Sequence, residues 1–200
     1  MKIDEIKNDG LTVICGVNVE DALLHKIYQK TFKDKTEVMF ITLSRIHKTI
    51  SEIVPRFNDI ITNFINGNSS SFFNTLLIDL PETLLTPENQ VDIANKLVKI
   101  VNKGINVIIT TNSEYMVKQF NILTMLSNMD KKTHDRNRIV VRFQFSEEIF
   151  LPSNKYHVYE YTKIDGQIEL SKNAVTYIGA EIKTFNKVAE SQNISTNFVM

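Results

Sequence analysis

Uninterrupted apolar runs alternating with amphipathic stretches dominate the first two thirds of the chain. Residues 11–16, LTVICG, form a short apolar run that ends in glycine. The stretch after it, VEDALLHKIYQKTF, sets Ala22, Leu23, Ile27 and Phe32 at near-helical spacing, so the pattern predicts strand, turn, helix. Residues 37–43, EVMFITL, read as a second buried strand, followed by a helical region over 44–65 that Pro55 must bend or interrupt. NGNSSS, 66–71, is turn chemistry. The clearest rhythm follows: TLLIDL (75–80), a helix from Pro87 to Lys103, GINVIITT (104–111) and a helix from Ser113 to Ser127. Strands that are apolar at every position need cover on both faces. The expected fold class is therefore α/β, with a doubly wound, mainly parallel sheet.

Beyond the polar run MDKKTHDRNR (129–138) the period changes. Strict alternation in RIVVRFQF (138–145), YHVYEYTKI (156–164) and QIELSK (167–172) predicts antiparallel strands, and Asp165-Gly166 is a two-residue turn suited to a tight hairpin. A helix over about 180–191 and a polar tail complete the expectation, which treats residues 1–200 as one domain.

Composition narrows the function classes. With 42% hydrophobic and 23% charged residues, disorder, collagen and disulfide-scaffold readings are excluded. Lys+Arg and Asp+Glu stand at 23 each, so no bulk field draws the whole chain onto nucleic acid or anionic lipid. A single cysteine, Cys15, sits in an apolar run and reads as a packing residue. The N-terminal residues lack a signal-peptide core, and no apolar run is long enough to span a bilayer. A cytoplasmic location is expected. Abundant Asn, Ile and Lys, together with the small size, suit an AT-rich genome such as that of a phage or other mobile element.

The segment from Leu76 to Phe120 carries the most specific signal: an apolar strand ending in Asp79, then Pro81-Glu82, Leu85, a Thr-Pro helix start at Pro87, and a strand ending in Thr110-Thr111 before Ser113. It resembles the Walker B to switch region of ABC-type ATPases, in particular the AAA-like group that includes the ATPase domains of OLD-family nucleases. The resemblance implies a P-loop NTPase-like fold and a nucleotide site built from the ends of the first, third and fourth strands. Several positions that hydrolysis needs are altered. Leu80 stands where the family places the glutamate that polarises water, and a leucine neither accepts a proton nor orients a water. Asn112 stands at the switch histidine.

In the N-terminal turn, Gly16 and Asn18 are what remains of a phosphate loop, with Val19, Glu20 and Asp21 in place of its glycine, lysine and hydroxyl. Two carboxylates at a helix start satisfy the amides that would otherwise hold phosphate. Lys26 lies too far along the helix to replace the missing lysine. NGNSSSFF is the only stretch in the place of a signature sequence, and it reads as a loop. Gly16, Asn18, Asp79 and Asn112 are thus expected to form a vestigial nucleotide site. No catalytic residue, metal ligand or cofactor is expected.

Bland readings prevail elsewhere. Glu82, Glu88 and Asp92 are set against a two-metal cluster but read as negative charge at a helix start. His25, His47, His134 and His157 lack metal-ligand spacing. The basic run 131–138 with Arg142 could touch nucleic acid, yet Asp135 interrupts it and no aromatic residue interleaves it, so it reads as a solvated loop. The sequence therefore predicts a catalytically silent ATPase-like protein that works through protein contacts, with itself or with an intact ABC-type ATPase as regulator or decoy. An ATPase completed in trans by a partner and a nucleic-acid-binding module are the alternatives.

Overall fold

The computed structural model describes residues 6–16, 23–32, 37–42, 59–63, 65–66, 73–83, 85–183 and 185. In chain order these give β1 (Leu11–Cys15), α1 (Leu23–Ile27, continued by a π turn over Tyr28–Phe32), β2 (Val38–Thr42), a helical segment α2 (59–63), β3 (Thr75–Asp79), α3 (Pro87–Asn102), β4 (Asn106–Thr111), α4 (Glu114–Asn128), α5 (His134–Arg142), β5 (Tyr156–Ile164), β6 (Gln167–Asn173), and the two-residue strands β7 (Val175–Thr176) and β8 (Gly179–Ala180).

Six strands form one sheet in the order β2-β3-β4-β1-β5-β6, and only β5 and β6 run antiparallel to each other. Leu11, Val13 and Cys15 of β1, with Leu76, Ile78, Val107 and Ile109, pack beneath α3 and α4. Ile14, Leu77 and Ile108, the alternate residues, pack beneath α1 with Leu23, Leu24, Ile27 and Phe32. Both faces are covered, which is why these strands read as continuous apolar runs. The doubly wound, mainly parallel sheet is what the pattern predicted.

Two expectations are corrected. Residues 138–145 are not a strand: most of the run lies in α5, because Arg136, Ile139 and Val140 fall at i, i+3, i+4 and turn inward together. Arg136 is only 5% exposed, donates from Nε to the Leu126 carbonyl at 3.1 Å and lies 4.8 Å over the Phe150 ring, so a charged residue supplies the inward position that completes the helical period. The hairpin of β5 and β6 about Asp165-Gly166 forms as expected, and β5 also pairs in parallel with β1, which joins the hairpin to the main sheet. Finally, residues 179–180 form a hairpin with Val175–Thr176, clamped by Asn121, whose amide donates to the Ala180 carbonyl at 2.7 Å and accepts from its N–H at 2.9 Å. Helical backbone resumes only at Lys183. Most of the region 44–65, the turn 66–71 apart from Asn66, and the expected helix beyond 185 lie outside the described residues.

Candidate site at the strand ends

The connection leaving β1 runs to α1 on one face of the sheet, whereas those leaving β3 and β4 run to α3 and α4 on the other. β1 and β4 are neighbours. Their connections lead to opposite faces of the sheet, and in open α/β sheets the ligand crevice lies outside the carboxyl ends of such a pair of strands. The structure places Gly16, Asp79 and Asn112 together at the carboxyl ends of β1, β3 and β4. Asn18, Glu20 and Asp21 lie outside the described residues, as does His47.

Hydrogen bonds lace the three strand ends together. The Gly16 N–H donates to the Thr111 carbonyl at 3.3 Å, and the Leu80 N–H donates to the Thr110 carbonyl at 3.2 Å. Thr110 also donates its hydroxyl to Asp79 Oδ1 at 2.6 Å and accepts from the Leu80 N–H at 3.2 Å. Asp79 is fully buried, and part of its hydrogen-bonding capacity serves the β3–β4 junction. On the next turn, Ser113 caps α4 by accepting from the Met116 N–H at 3.1 Å, and its hydroxyl reaches Gln90 Oε1 on α3 at 2.5 Å.

Gly16 has a role unconnected with phosphate. A Cβ built there would lie 2.6 Å from the Tyr161 carbonyl oxygen and 3.3 Å from the Tyr161 Cβ. Glycine is required because the β5 backbone passes close by. Cys15 beside it is fully buried, its thiol 3.8 Å from the Tyr159 carbonyl, and burial first, then the Glu160 carboxylate, pushes its pKa far up. It is unreactive packing, as the sequence indicated.

Glu82 is the residue that sequence reasoning placed wrongly. It does not decorate a helix start. Leu80 adopts a left-handed conformation (φ 47°), the chain turns through 81–83, and Glu82 folds back so that its Oε1 accepts from the Asn112 N–H at 2.6 Å. Its second oxygen, Oε2, is covered and makes no hydrogen bond among the described residues. Burial raises the Glu82 pKa above the ordinary carboxylate value. The Asn112 amide and the Thr111 hydroxyl act against that rise, and Asp79 adds to it. A carboxylate of the chain itself thus occupies the amide at the exit of β4. The one hint in the sequence was Pro81-Glu82 directly after a strand, which marks a turn but not its handedness.

This geometry yields a signed expectation. A raised carboxylate pKa means that Glu82 favours folding most fully below the unfolded carboxylate value and loses that contribution as pH rises through the folded one. Ionised Glu82 is therefore a cost at neutral pH. Glu82→Gln keeps an acceptor for the Asn112 N–H, so urea denaturation should show it more stable than wild type by about 1 kcal/mol at pH 7. The difference should vanish well below pH ~4.

Other candidates stay apart. Glu88 lies in the first turn of α3, and Asp92 pairs with Lys96 at 2.6 Å. His157 contacts Asp9 at 2.9 Å, His25 stands 6.1 Å from Phe40, and His134 begins α5. Lys26 lies on α1. Among the described residues no group of three or more His, Cys, Asp or Glu side chains could hold a metal ion, and no helix is long and apolar enough to cross a membrane.

No family model matches the chain, and no curated protein matches it either. Among solved structures it is similar to domain III of the replication initiation protein DnaA from Thermotoga maritima, at 18% identity and a TM-score of 0.32. That likeness covers 57% of this chain and 52% of the other, so the matched region spans about half of each.

Proposed function

We propose that this chain is a catalytically silent, reduced relative of ABC-type ATPases that acts by binding protein, either a second copy of itself or an intact ATPase that it regulates or decoys. The observation that carries this reading is the Glu82 carboxylate seated on the Asn112 amide beside Asp79. Gly16, Asp79, Leu80, Glu82 and the run Thr110 to Ser113, which close the crevice, bring two carboxylates and no cation. A nucleoside triphosphate carries several negative charges and is held by backbone amides and lysine. Here one such amide is already taken, and the nearest charges repel. Leu80 adds an aliphatic group, 7% exposed, where water activation needs a base. Parent domains of this fold pair through the nucleotide face, so a silent copy keeps a surface for pairing while losing turnover.

The test is sedimentation velocity over a concentration series, with phosphate release from Mg·ATP assayed on the same samples. The proposal expects self-association, or complex formation with an added ABC-type ATPase, without phosphate release. A chain that stays monomeric, ignores the ATPase and hydrolyses ATP overturns it.

A further inference from the structure

A second cleft, of about 900 Å³, lies at the opposite end of the sheet, where the chain enters β4 and β5. Four cations line it: Lys99 and Lys103 from the end of α3, Lys131 from the turn after α4, and Arg136 from α5. They face two carboxylates, Glu147 and Glu148, on the short 3-10 turn that precedes Phe150. In a chain whose charges balance, this is a local surplus of two positive charges.

Arg136 is prepositioned. It is 5% exposed, its Nε is tied to the Leu126 carbonyl, its Nη2 stands 3.3 Å from Glu147 Oε1, and its guanidinium lies against Phe150. The segment opposite is fixed by Asn102, whose amide donates to the Glu148 and Phe150 carbonyls at 2.8 and 2.9 Å. The lysines are held less firmly. Lys131 pairs with Glu147 at 2.8 Å and Lys99 with Glu148 at 3.4 Å, but these carboxylate side chains are 58% and 75% exposed, and Lys103 reaches the Ile65 carbonyl. Exposed pairs of this kind contribute little and are readily exchanged for a better anion. One fixed guanidinium and three adjustable ammonium groups form a receptor for a compact, multiply charged anion, because each added oxygen can meet a separate donor.

We infer that this cleft binds a phosphate or diphosphate group, either free or on a small molecule, with Arg136 as the fixed contact and Lys99, Lys103 and Lys131 closing around it. This inference is independent of the reading of the crevice. Its test is calorimetric titration with inorganic pyrophosphate in magnesium-free buffer at low and moderate salt. Wild type should bind one equivalent, more weakly as salt rises. Lys99→Ala and Lys103→Ala should each weaken binding about tenfold without altering the circular dichroism. Glu147→Gln, which removes the carboxylate competing for Lys131 and Arg136, should tighten it, and Asp79→Asn should leave it unchanged. An absence of binding, indifference to both lysine substitutions, or loss of binding in Asp79→Asn would each overturn the inference.

Discussion

Gly16→Ala is expected to destabilise the protein by about 3 kcal/mol, read as a drop in the urea midpoint at unchanged slope. The added methyl has nowhere to go, since it would sit 2.6 Å from the carbonyl oxygen of Tyr161, a backbone atom that cannot move aside by changing rotamer. Relief requires β1 and β5 to separate, and they are paired in parallel from Leu11–Tyr156 to Cys15–Glu160 at the centre of the sheet. The result separates two explanations of one glycine. A residue kept for close approach to phosphate would alter ligand binding and leave the ligand-free fold nearly intact. A residue kept for strand packing, as the geometry requires, alters stability with no ligand present.

Leu80→Glu is the second large effect. Restoring a carboxylate after Asp79 would supply the group that water activation needs, and on motif grounds alone it invites a gain of activity. The surroundings oppose it. Leu80 is 7% exposed, and its neighbours Asp79 and Glu82 are both carboxylates. A third acid there is desolvated and repelled, at a cost of about 3 kcal/mol. Phosphate release from Mg·ATP should remain at background, because among the described residues no cation stands at the crevice to hold the triphosphate in line for attack. Near-UV circular dichroism on the assayed sample establishes that the variant is still folded. Turnover above background would show that only the base was missing.

Much of the fold was legible because burial on both faces leaves a plain imprint. LTVIC, TLLID and NVIITT each hold an unbroken apolar stretch flanked by a few polar residues, and each is an interior strand of the sheet. The helices between them announced themselves by caps as well as period: Thr86 accepts from the Asn89 N–H ahead of Pro87, and Ser113 accepts from Met116. What failed was alternation in 138–145, since Val141 and Phe143 match an apolar strand face yet are 76% and 57% exposed. The inward side is formed by Arg136 with Ile139 and Val140, and a pattern count that treats arginine as polar cannot find it.

The site was legible in its positions but not in its wiring. Asp79 and Asn112 could be placed at strand ends from the apolar runs that precede them. That Glu82 would cross to the Asn112 amide depended on a left-handed leucine before a proline, a conformation that residue preferences argue against. Gly16 was visible as a glycine after a strand, but its neighbour, Tyr161, is 145 positions away in sequence and enters only once β5 has joined β1.

The decisive property is whether the crevice at the ends of β1 and β4 accepts a magnesium nucleotide. Calorimetric titration of wild type with ATP, with and without magnesium and alongside Asp79→Asn, measures this directly. The prediction is that magnesium does not strengthen whatever binding ATP shows and that Asp79→Asn leaves it unchanged. Binding that requires magnesium and disappears in Asp79→Asn would contradict it.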